Sequence, residues 1–259
     1  MFRLYHGDCL QILKDISSNS VDLIICDLPF GCLGADRRSA KVKAQTANGG
    51  TYGDCSWDVK LDLNAFWTEI RRIRRNDHSP CLHFTTTKYG FELWESNKKE
   101  FRYDLVWDKG RGVSFLSANK MPMRSHEMIY VFSKAGSYYN RVDISGDFPK
   151  SIRKNPTKTI QGQILPNTLQ DNTGKRCVLS VIYSDGYQTR KQGQHPTEKP
   201  VELYKFLIER YCPAGGTVLD PTFGSGNSGL ACKELGRNYI GIEKDETFFQ
   251  KAKSKLLPE

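Results

Sequence analysis

Two short segments of the chain carry residues that can do chemistry, and each follows a predicted strand. The first, Asp27-Leu28-Pro29-Phe30, comes directly after the apolar run 21–26. The Asp27 carboxylate and the Leu28 carbonyl can both accept hydrogen bonds from an exocyclic amine, and the Phe30 ring can stack on another ring. Because ligands of open parallel sheets bind at the carboxyl ends of strands, this segment predicts a substrate site. An Asx turn at the end of a strand would account for Asp27 equally well.

The second segment is a glycine-rich turn with the sequence Asp220-Pro221-Thr222-Phe223-Gly224-Ser225-Gly226-Asn227. Glycine permits a tight turn and a close approach of a ligand to the backbone. Glu243 ends the next predicted strand, at a position from which carboxylates bind ribose hydroxyls in nucleotide folds. The turn has neither the dinucleotide fingerprint nor the spacing of a Walker loop. It predicts a site for a nucleoside-containing ligand, against the alternative of an ordinary tight turn.

The elements that must position these segments alternate between strand and helix patterns. Apolar runs predict strands at 21–26, 80–85, 103–107, 127–132, 217–220 and 238–243. Apolar spacing close to 3.6 residues predicts helices at 62–75, 89–98, 200–212, 226–235 and 245–256. Strands that alternate with helices indicate an α/β fold with a mostly parallel sheet.

Charge is unevenly distributed along the 259 residues, whose formal net charge is +9. Residues 150–199 hold nine Lys or Arg and three acids, an excess of +6. A basic segment of this kind favours a polyanionic partner, although a basic protein with no such partner is the alternative. We therefore interpret residues 141–192 as an inserted basic region and residues 33–56 as a long, mobile loop.

Composition argues against several classes of protein. The chain has no apolar run near the ~18 residues that a transmembrane helix needs, and acids at Asp8 and Asp15 argue against a secretory signal. The eight cysteines are scattered without Cys-x-x-Cys spacing, which predicts free thiols in a reducing compartment. No cluster of cysteine and histidine has the spacing of metal ligands, so we expect no metal site.

Together the motifs resemble the S-adenosylmethionine-dependent amino-methyltransferases of DNA, in the beta order that places the catalytic motif before the cofactor motif. Gly7-Asp8-Cys9 matches the segment of that family that contacts the cofactor adenine. Trp107-Asp108-Lys109 and Arg124–Phe132 resemble its middle motifs, and His195–Pro200 resembles the motif that helps to hold the methionine moiety. The resemblance covers residues 1–32, 80–140 and 193–257.

The resemblance implies an α/β, Rossmann-like fold with a mostly parallel twisted sheet, helices on both faces and a permuted motif order. It implies a catalytic half at 1–140, a target-recognition insertion at 141–192 and a cofactor-binding half at 193–259. The implied reaction transfers a methyl group from S-adenosylmethionine to N6 of a flipped adenine in double-stranded DNA.

The implied site residues fall into three sets. The catalytic set is Asp27, Leu28, Pro29 and Phe30. The cofactor set is Asp8, Cys9, Asp27, His195, Lys199, Asp220, Thr222, Phe223, Gly224, Ser225, Gly226, Asn227 and Glu243. In this set Asp8 would bind the adenine amine, Glu243 the ribose and Lys199 the cofactor carboxylate or a nearby phosphate. The DNA-binding set, chosen from charge alone, is Arg37, Arg38, Lys41, Lys43, Arg153, Lys154, Lys158, Lys175, Arg176, Arg190 and Lys191.

One departure from the family pattern keeps alternatives open. The usual tetrad is Asp-Pro-Pro-Tyr, whereas this chain has leucine at position 28 and phenylalanine at position 30. Leu28 still supplies a backbone carbonyl, and Phe30 still supplies an aromatic face. Aspartate in the first position of the tetrad favours adenine over cytosine as the target base. N4 methylation of cytosine, an RNA or small-molecule methyltransferase, and a DNA-binding module without activity are the alternatives.

The remaining expectations concern partners and location. The resemblance implies a protein of the bacterial cytoplasm or of the host cell of a phage, without a membrane partner. A cognate restriction endonuclease is a candidate partner, and both a monomer and a homodimer remain open.

Overall fold

The structure is a computed structural model that describes residues 1–31, 59–113, 115, 118–145, 157–158, 164–165, 175–184 and 198–257. The chain divides into two compact units. Unit 1 comprises Met1–Asn140 and Ser180–Glu259, and unit 2 comprises Arg141–Leu179. Within the described residues, no helix has the length and apolar character to span a membrane.

The described chain contains twelve strands and six α-helices. The strands are β1 (Phe2–His6), β2 (Leu23–Cys26), β3 (Cys81–Thr85), β4 (Phe101–Val113), β5 (Arg124–Phe132), β6 (Ile144–Ser145), β7 (Thr157–Lys158), β8 (Ile164–Leu165), β9 (Lys175–Arg176), β10 (Val181–Tyr183), β11 (Thr217–Asp220) and β12 (Asn238–Glu243). The helices are α1 (Cys9–Ile12), α2 (Leu63–Ile73), α3 (Thr87–Ser96), α4 (Val201–Tyr211), α5 (Asn227–Glu234) and α6 (Glu246–Leu256).

Unit 1 is built on one eight-stranded sheet in the order β1-β12-β11-β2-β3-β5-β4-β10. The first five strands run parallel to one another, and β10 is parallel to β4. Within this sheet, β5 runs antiparallel to its neighbours β3 and β4. The predicted α/β architecture with a mostly parallel sheet is therefore confirmed.

The sheet is covered on both faces because successive side chains of its central strands point in opposite directions. In β2, Leu23 and Ile25 pack in one buried cluster with residues of α4, α5 and α6. Ile24 and Cys26 pack in a second cluster with residues of α1, α2 and α3. All four residues are buried, as expected of a parallel strand between two helical layers.

Two aspartates fix the starts of helices near the carboxyl edge of the sheet. The Asp62 carboxylate accepts hydrogen bonds from the backbone N–H groups of residues 64 and 65 at the start of α2. Asp245 does the same for residues 247 and 248 at the start of α6. Each carboxylate satisfies amides that have no partner within the helix, which anchors the preceding loop.

The structure corrects the sequence analysis at two strands. β1 was not predicted, although Phe2 and Leu4 alternate with polar residues as in an edge strand. Residues 181–183 were placed in the basic insertion, but they form β10 of the large sheet, where Ile182 is buried in the core.

The strands described in unit 2 form two short antiparallel pairs. Strand β6 pairs with β9, and β7 pairs with β8. Lys175 and Arg176, which were predicted to contact DNA, make up β9, and Lys175 is exposed.

Candidate active site

A cavity of about 550 Å³ opens where the carboxyl ends of four parallel strands meet. It is lined by the residues that follow β1 (Gly7–Leu10), β2 (Asp27–Phe30), β11 (Pro221–Ser225) and β12 (Glu243–Asp245). These strands are adjacent and parallel, so the segments that follow them must meet at the same edge. The cavity therefore brings together the two chemistry-bearing segments of the sequence, together with Asp8, Cys9, Lys199 and Glu243.

The glycine-rich turn is tied to the end of β12 by a carboxylate. Glu243 accepts hydrogen bonds from the backbone N–H of Gly224 through Oε2 and from that of Asp245 through Oε1, both at 2.8 Å. Gly224 has φ +53°, a conformation that glycine adopts without strain. Burial raises the pKa of Glu243, while its hydrogen bonds to backbone amides lower it. Two amides thus fix the orientation of this carboxylate at the cavity wall.

The segment after β1 forms a second wall of the cavity. The backbone N–H of Gly7 donates to the Glu243 carbonyl at 2.9 Å, which places the segment beside the glycine-rich turn. Asp8 caps α1 by accepting from the Leu10 N–H at 3.0 Å. Cys9 is buried, and burial raises the pKa of its thiol to about 12, so it lines the site as a neutral group.

Three of the predicted cofactor residues lie behind the cavity wall and support it. Asp220 is 2% exposed and accepts from the Thr222 N–H at 3.1 Å and the Ser228 hydroxyl at 2.6 Å. Gly226 precedes α5 with φ +77°, and a Cβ there would lie 2.9 Å from Cβ of Ala252 on α6. The Asn227 amide donates to Glu198 Oε1 at 2.6 Å and to the Lys199 carbonyl at 2.8 Å. The contact of these three residues with the cofactor stays a prediction, and the partners named here are protein groups.

Asp27 also lines the cavity, and it belongs to a chain of four charged side chains. Lys199 donates to Asp27 Oδ2, and its Nζ lies 3.5 Å from Glu127 Oε2. Lys109 in turn donates to Glu127 Oε1. Lys199 was predicted to bind the cofactor carboxylate or a nearby phosphate, which stays a prediction. In the structure its ammonium pairs with Asp27, 172 residues away along the chain.

Burial and charge act in opposite directions on the Asp27 carboxyl. Burial is the largest influence and raises its pKa, and the Glu127 carboxylate raises it further. The ammonium of Lys199 lowers the pKa, as does that of Lys109. The net direction is upward, so Asp27 is a better proton acceptor than an exposed aspartate.

The rest of the catalytic segment is held by packing. Leu28 is 1% exposed and belongs to the core beside α1 and α2, so its side chain anchors the segment. Phe30 packs on Tyr89 of α3 with 5.0 Å between ring centroids and 32° between planes. The backbone carbonyl of Asp27 accepts from the Thr222 hydroxyl at 3.2 Å, which links the segment to the glycine-rich turn.

Several predicted residues lie outside the described part of the chain. These are His195 of the cofactor set, and Arg37, Arg38, Lys41, Lys43, Arg153, Lys154, Arg190 and Lys191 of the DNA-binding set. For Lys158, in β7, the structure describes the backbone alone. Among the residues that are described, no group of three or more His, Cys, Asp or Glu could hold a metal ion.

Glu127, Lys109, Glu198 and Tyr89 were not predicted as site residues. Glu127 and Lys109 stand in the two middle motifs, so the resemblance had marked their segments without assigning them a role. Glu198 is part of the motif at 195–200, and Tyr89 has no sequence signal that separates it from an ordinary core aromatic.

The comparisons with known proteins agree with this geometry. The sequence model of a family described as DNA methylase, for N6 and N4 methyltransferases, matches residues 21–254. Similar curated proteins include the type II methyltransferase M2.MboI of Moraxella bovis, which is 24% identical over 97% of this chain and 86% of its own. M.HindIII of Haemophilus influenzae is 25% identical over 98% of this chain and 94% of its own.

Solved structures share the fold. The M1.HpyAVI–SAM complex has a TM-score of 0.60 and 22% identity, and the match covers 99% of this chain and 100% of that one. The PvuII DNA methyltransferase (cytosine-N4-specific) has a TM-score of 0.66 and 15% identity, with 100% and 87% covered. Because the family model spans most of the sequence, this chain belongs to the DNA methylase family of N6 and N4 amino-methyltransferases.

Proposed function

We propose that this DNA methyltransferase methylates N6 of adenine in double-stranded DNA, with Asp27-Leu28-Pro29-Phe30 as the catalytic segment. Aspartate in first place of this segment favours adenine over cytosine, and one observation supports amino-methyltransferase chemistry at this site. The Asp27 carboxylate and the Gly224–Glu243 pair line the same cavity, so an amine acceptor and a nucleoside-type loop face one space. An amino-methyltransferase needs both functions side by side.

The cofactor is S-adenosylmethionine, on which this family depends. The residues present fit it. A cavity of about 550 Å³ has room for a nucleoside joined to an amino acid. Glu198 lines the cavity, and its Oε2 is buried with no hydrogen-bond partner among the described residues, which suits the ammonium of an amino acid. Glu243 and Asp8 offer carboxylates for ribose hydroxyls and for the adenine amine. When bound, this cofactor supplies an electrophilic methyl group.

The catalytic segment acts on the target amine by accepting its hydrogen bonds. The Asp27 carboxylate and the Leu28 carbonyl draw the nitrogen lone pair out of conjugation with the ring and orient it for attack. Asp27 need not be a strong base, because the amine becomes acidic only after it has gained the methyl group. Positioning and electrostatics therefore provide most of the rate enhancement.

The target base must leave the duplex before its amine can reach Asp27. Phe30 provides an aromatic face for the flipped base at the cavity rim. Basic residues supply phosphate contacts, among them Lys175 and Arg176 of unit 2. We therefore expect the affinity for DNA to fall steeply with added salt. An affinity that is independent of salt would overturn the proposed phosphate contacts.

The proposal is tested by product analysis. Plasmid DNA is incubated with protein and labelled S-adenosylmethionine, and its nucleosides are separated by chromatography and mass spectrometry. We expect N6-methyladenine from the wild type and none from Asp27→Ala, with Asp15→Ala as an exposed control that retains activity. N4-methylcytosine as the product would select the alternative on this scaffold, and RNA methylated in preference to DNA would overturn the DNA substrate.

A further inference from the structure

Asp27 and the three charged side chains linked to it come from four different parts of unit 1. Asp27 follows β2, Lys199 precedes α4, Glu127 lies on β5 and Lys109 on β4. The side chain of Lys199 is 5% exposed, and those of Lys109 and Glu127 are 14% and 17% exposed. Charges this far from solvent are costly unless they are paired, and here the signs alternate along the chain of contacts.

Lys199 is held from three sides. Its ammonium contacts Asp27 and Glu127, and it also lies 5.2 Å from the centre of the Phe84 ring on β3. Because the lysine contacts Asp27 through Oδ2, the other carboxylate oxygen is left for a substrate amine. The lysine therefore fixes the carboxylate in place without using all of its acceptor capacity.

Glu127 limits how strongly the Lys199 ammonium neutralises the charge of the Asp27 carboxylate. A lysine paired with Asp27 alone would neutralise the carboxylate strongly and weaken it as an acceptor. Glu127 shares the ammonium, and Lys109 holds Glu127 in position through its other oxygen. The Lys199 ammonium and the Glu127 carboxylate therefore act in opposite directions on the Asp27 carboxylate.

We propose that Lys199 and Glu127 are positioning residues that set the acceptor strength of Asp27, with Lys109 supporting Glu127. This inference rests on the proposed function, because it takes Asp27 as the acceptor of the target amine. It assigns opposite effects to the two residues. Lys199 keeps Asp27 ionised. Glu127 prevents the Lys199 ammonium from neutralising the negative charge of Asp27 too strongly.

The test compares Lys199→Met and Glu127→Gln with the wild type. Loss of the Lys199 ammonium raises the pKa of Asp27, and loss of the Glu127 charge lowers it. The groups whose charges act on Asp27 or respond to it are Lys199, Glu127, Lys109, Asp220, Cys26 and Tyr204. Lys205→Met is the matched control, since Lys205 also belongs to the α4 region but pairs with Glu202 and Glu234 at the surface.

The first readout is the carboxyl carbon-13 titration of Asp27 in the protein without cofactor, with its signal assigned from Asp27→Asn. Shifts of the two variants in opposite directions, with the control unchanged, support the inference. Shifts in the same direction, or none, overturn it. Glu127→Gln alone decides the outcome if Lys199→Met does not fold, because only a downward shift agrees with the proposed role.

The second readout is the acid limb of the pH profile of methyl transfer. We expect the acid limb to move to higher pH in Lys199→Met and to lower pH in Glu127→Gln. Each shift in the pKa of Asp27 by one unit corresponds to about a tenfold change in the proton concentration at the midpoint of the limb. An acid limb that stays in place in both variants shows that the residues have a structural role only. A wild type that transfers no methyl group would refute the proposed function, while the titration would still decide this inference.

Discussion

The backbone N–H of Gly224 donates to Glu243 Oε2 at 2.8 Å, across nineteen residues of chain. This hydrogen bond joins the loop after β11 to the end of β12, and both elements line the same cavity. The conformation of the glycine-rich turn therefore depends on a carboxylate that is itself a proposed cofactor ligand.

Replacement of Glu243 by glutamine is expected to weaken the binding of S-adenosylmethionine by about tenfold or more. The amide has one acceptor oxygen for two backbone N–H donors, so one donor loses a charged partner worth about 1.5–3 kcal/mol. Isothermal titration calorimetry without DNA measures the affinity. Glu246→Gln is the control, because Glu246 pairs with His6 at the surface. Equal affinities for wild type and Glu243→Gln would contradict the assignment.

Replacement of Phe30 by leucine is expected to lower kcat/KM for DNA by about tenfold to a hundredfold. Stacking of a base on an aromatic ring contributes about 1–3 kcal/mol, and leucine removes the ring while it keeps the apolar bulk. Phe30→Tyr should retain activity, because it restores the aromatic residue usual in the family. Steady-state methylation assays measure the effect, with the exposed Phe91→Leu as control. A Phe30→Leu enzyme as active as the wild type would exclude a stacking role.

Replacement of Gly226 by alanine is expected to lower the free energy of unfolding by about 1–3 kcal/mol. The new Cβ would lie 2.9 Å from Cβ of Ala252, in a residue with φ +77°. Gly236→Ala is a matched control, since its φ is +63° and a Cβ at that residue would have nothing within 4 Å. Urea denaturation followed by circular dichroism should show the larger loss in Gly226→Ala. Equal losses in the two variants would mean that backbone strain, and not the contact with α6, explains this glycine.

The stability of the protein should depend on pH through Asp220. Burial raises the pKa of this carboxyl from 3.8 to about 7, although hydrogen bonds from Ser228 and from the Thr222 amide lower it. The folded state then binds a proton that the unfolded state has released, so this group lowers stability as pH rises from about 4 to about 7.

Asp220→Asn cannot ionise and should lose less stability than the wild type over that pH range. Urea unfolding at several pH values between these limits measures the difference, and the exposed Asp15→Asn should follow the wild type. If the Asp220→Asn and wild-type curves run parallel, the carboxyl does not change its protonation state on folding.

The sequence was most informative where the signal is local. The strands Thr217–Asp220 and Asn238–Glu243 have the predicted bounds, because a turn residue or a charge marks each end. The segment Asp27–Phe30 and the glycine-rich turn were likewise singled out from residues that are consecutive in the chain, and residues of both line the cavity. The hydrophobic pattern and turn chemistry suffice for such elements.

Relationships between distant residues could not be predicted in this way. Lys199 lies beside Asp27 because the fold brings the start of α4 to the carboxyl end of β2. The spacing of residues along the sequence does not predict this contact. Gly226 shows the same limit. The pattern predicted a ligand contact, which stays a prediction, but it gave no sign that α6 packs against this residue. Strand β10 was missed because three residues at a sheet edge carry too short a pattern to separate from a loop.

The pairing of β1 with β12 has a consequence for synthesis of the protein on the ribosome. The register joins Phe2 to Tyr239 and His6 to Glu243, so β1 acquires its partner only after a strand 237 residues further along the chain has been made. Within the described sheet, β12 is also the only neighbour of β1. The catalytic segment, by contrast, follows a strand whose partner β3 emerges early. The cofactor cavity is therefore completed only after β12 has been made, and the nascent chain carries Asp27–Phe30 well before it can bind a methyl donor.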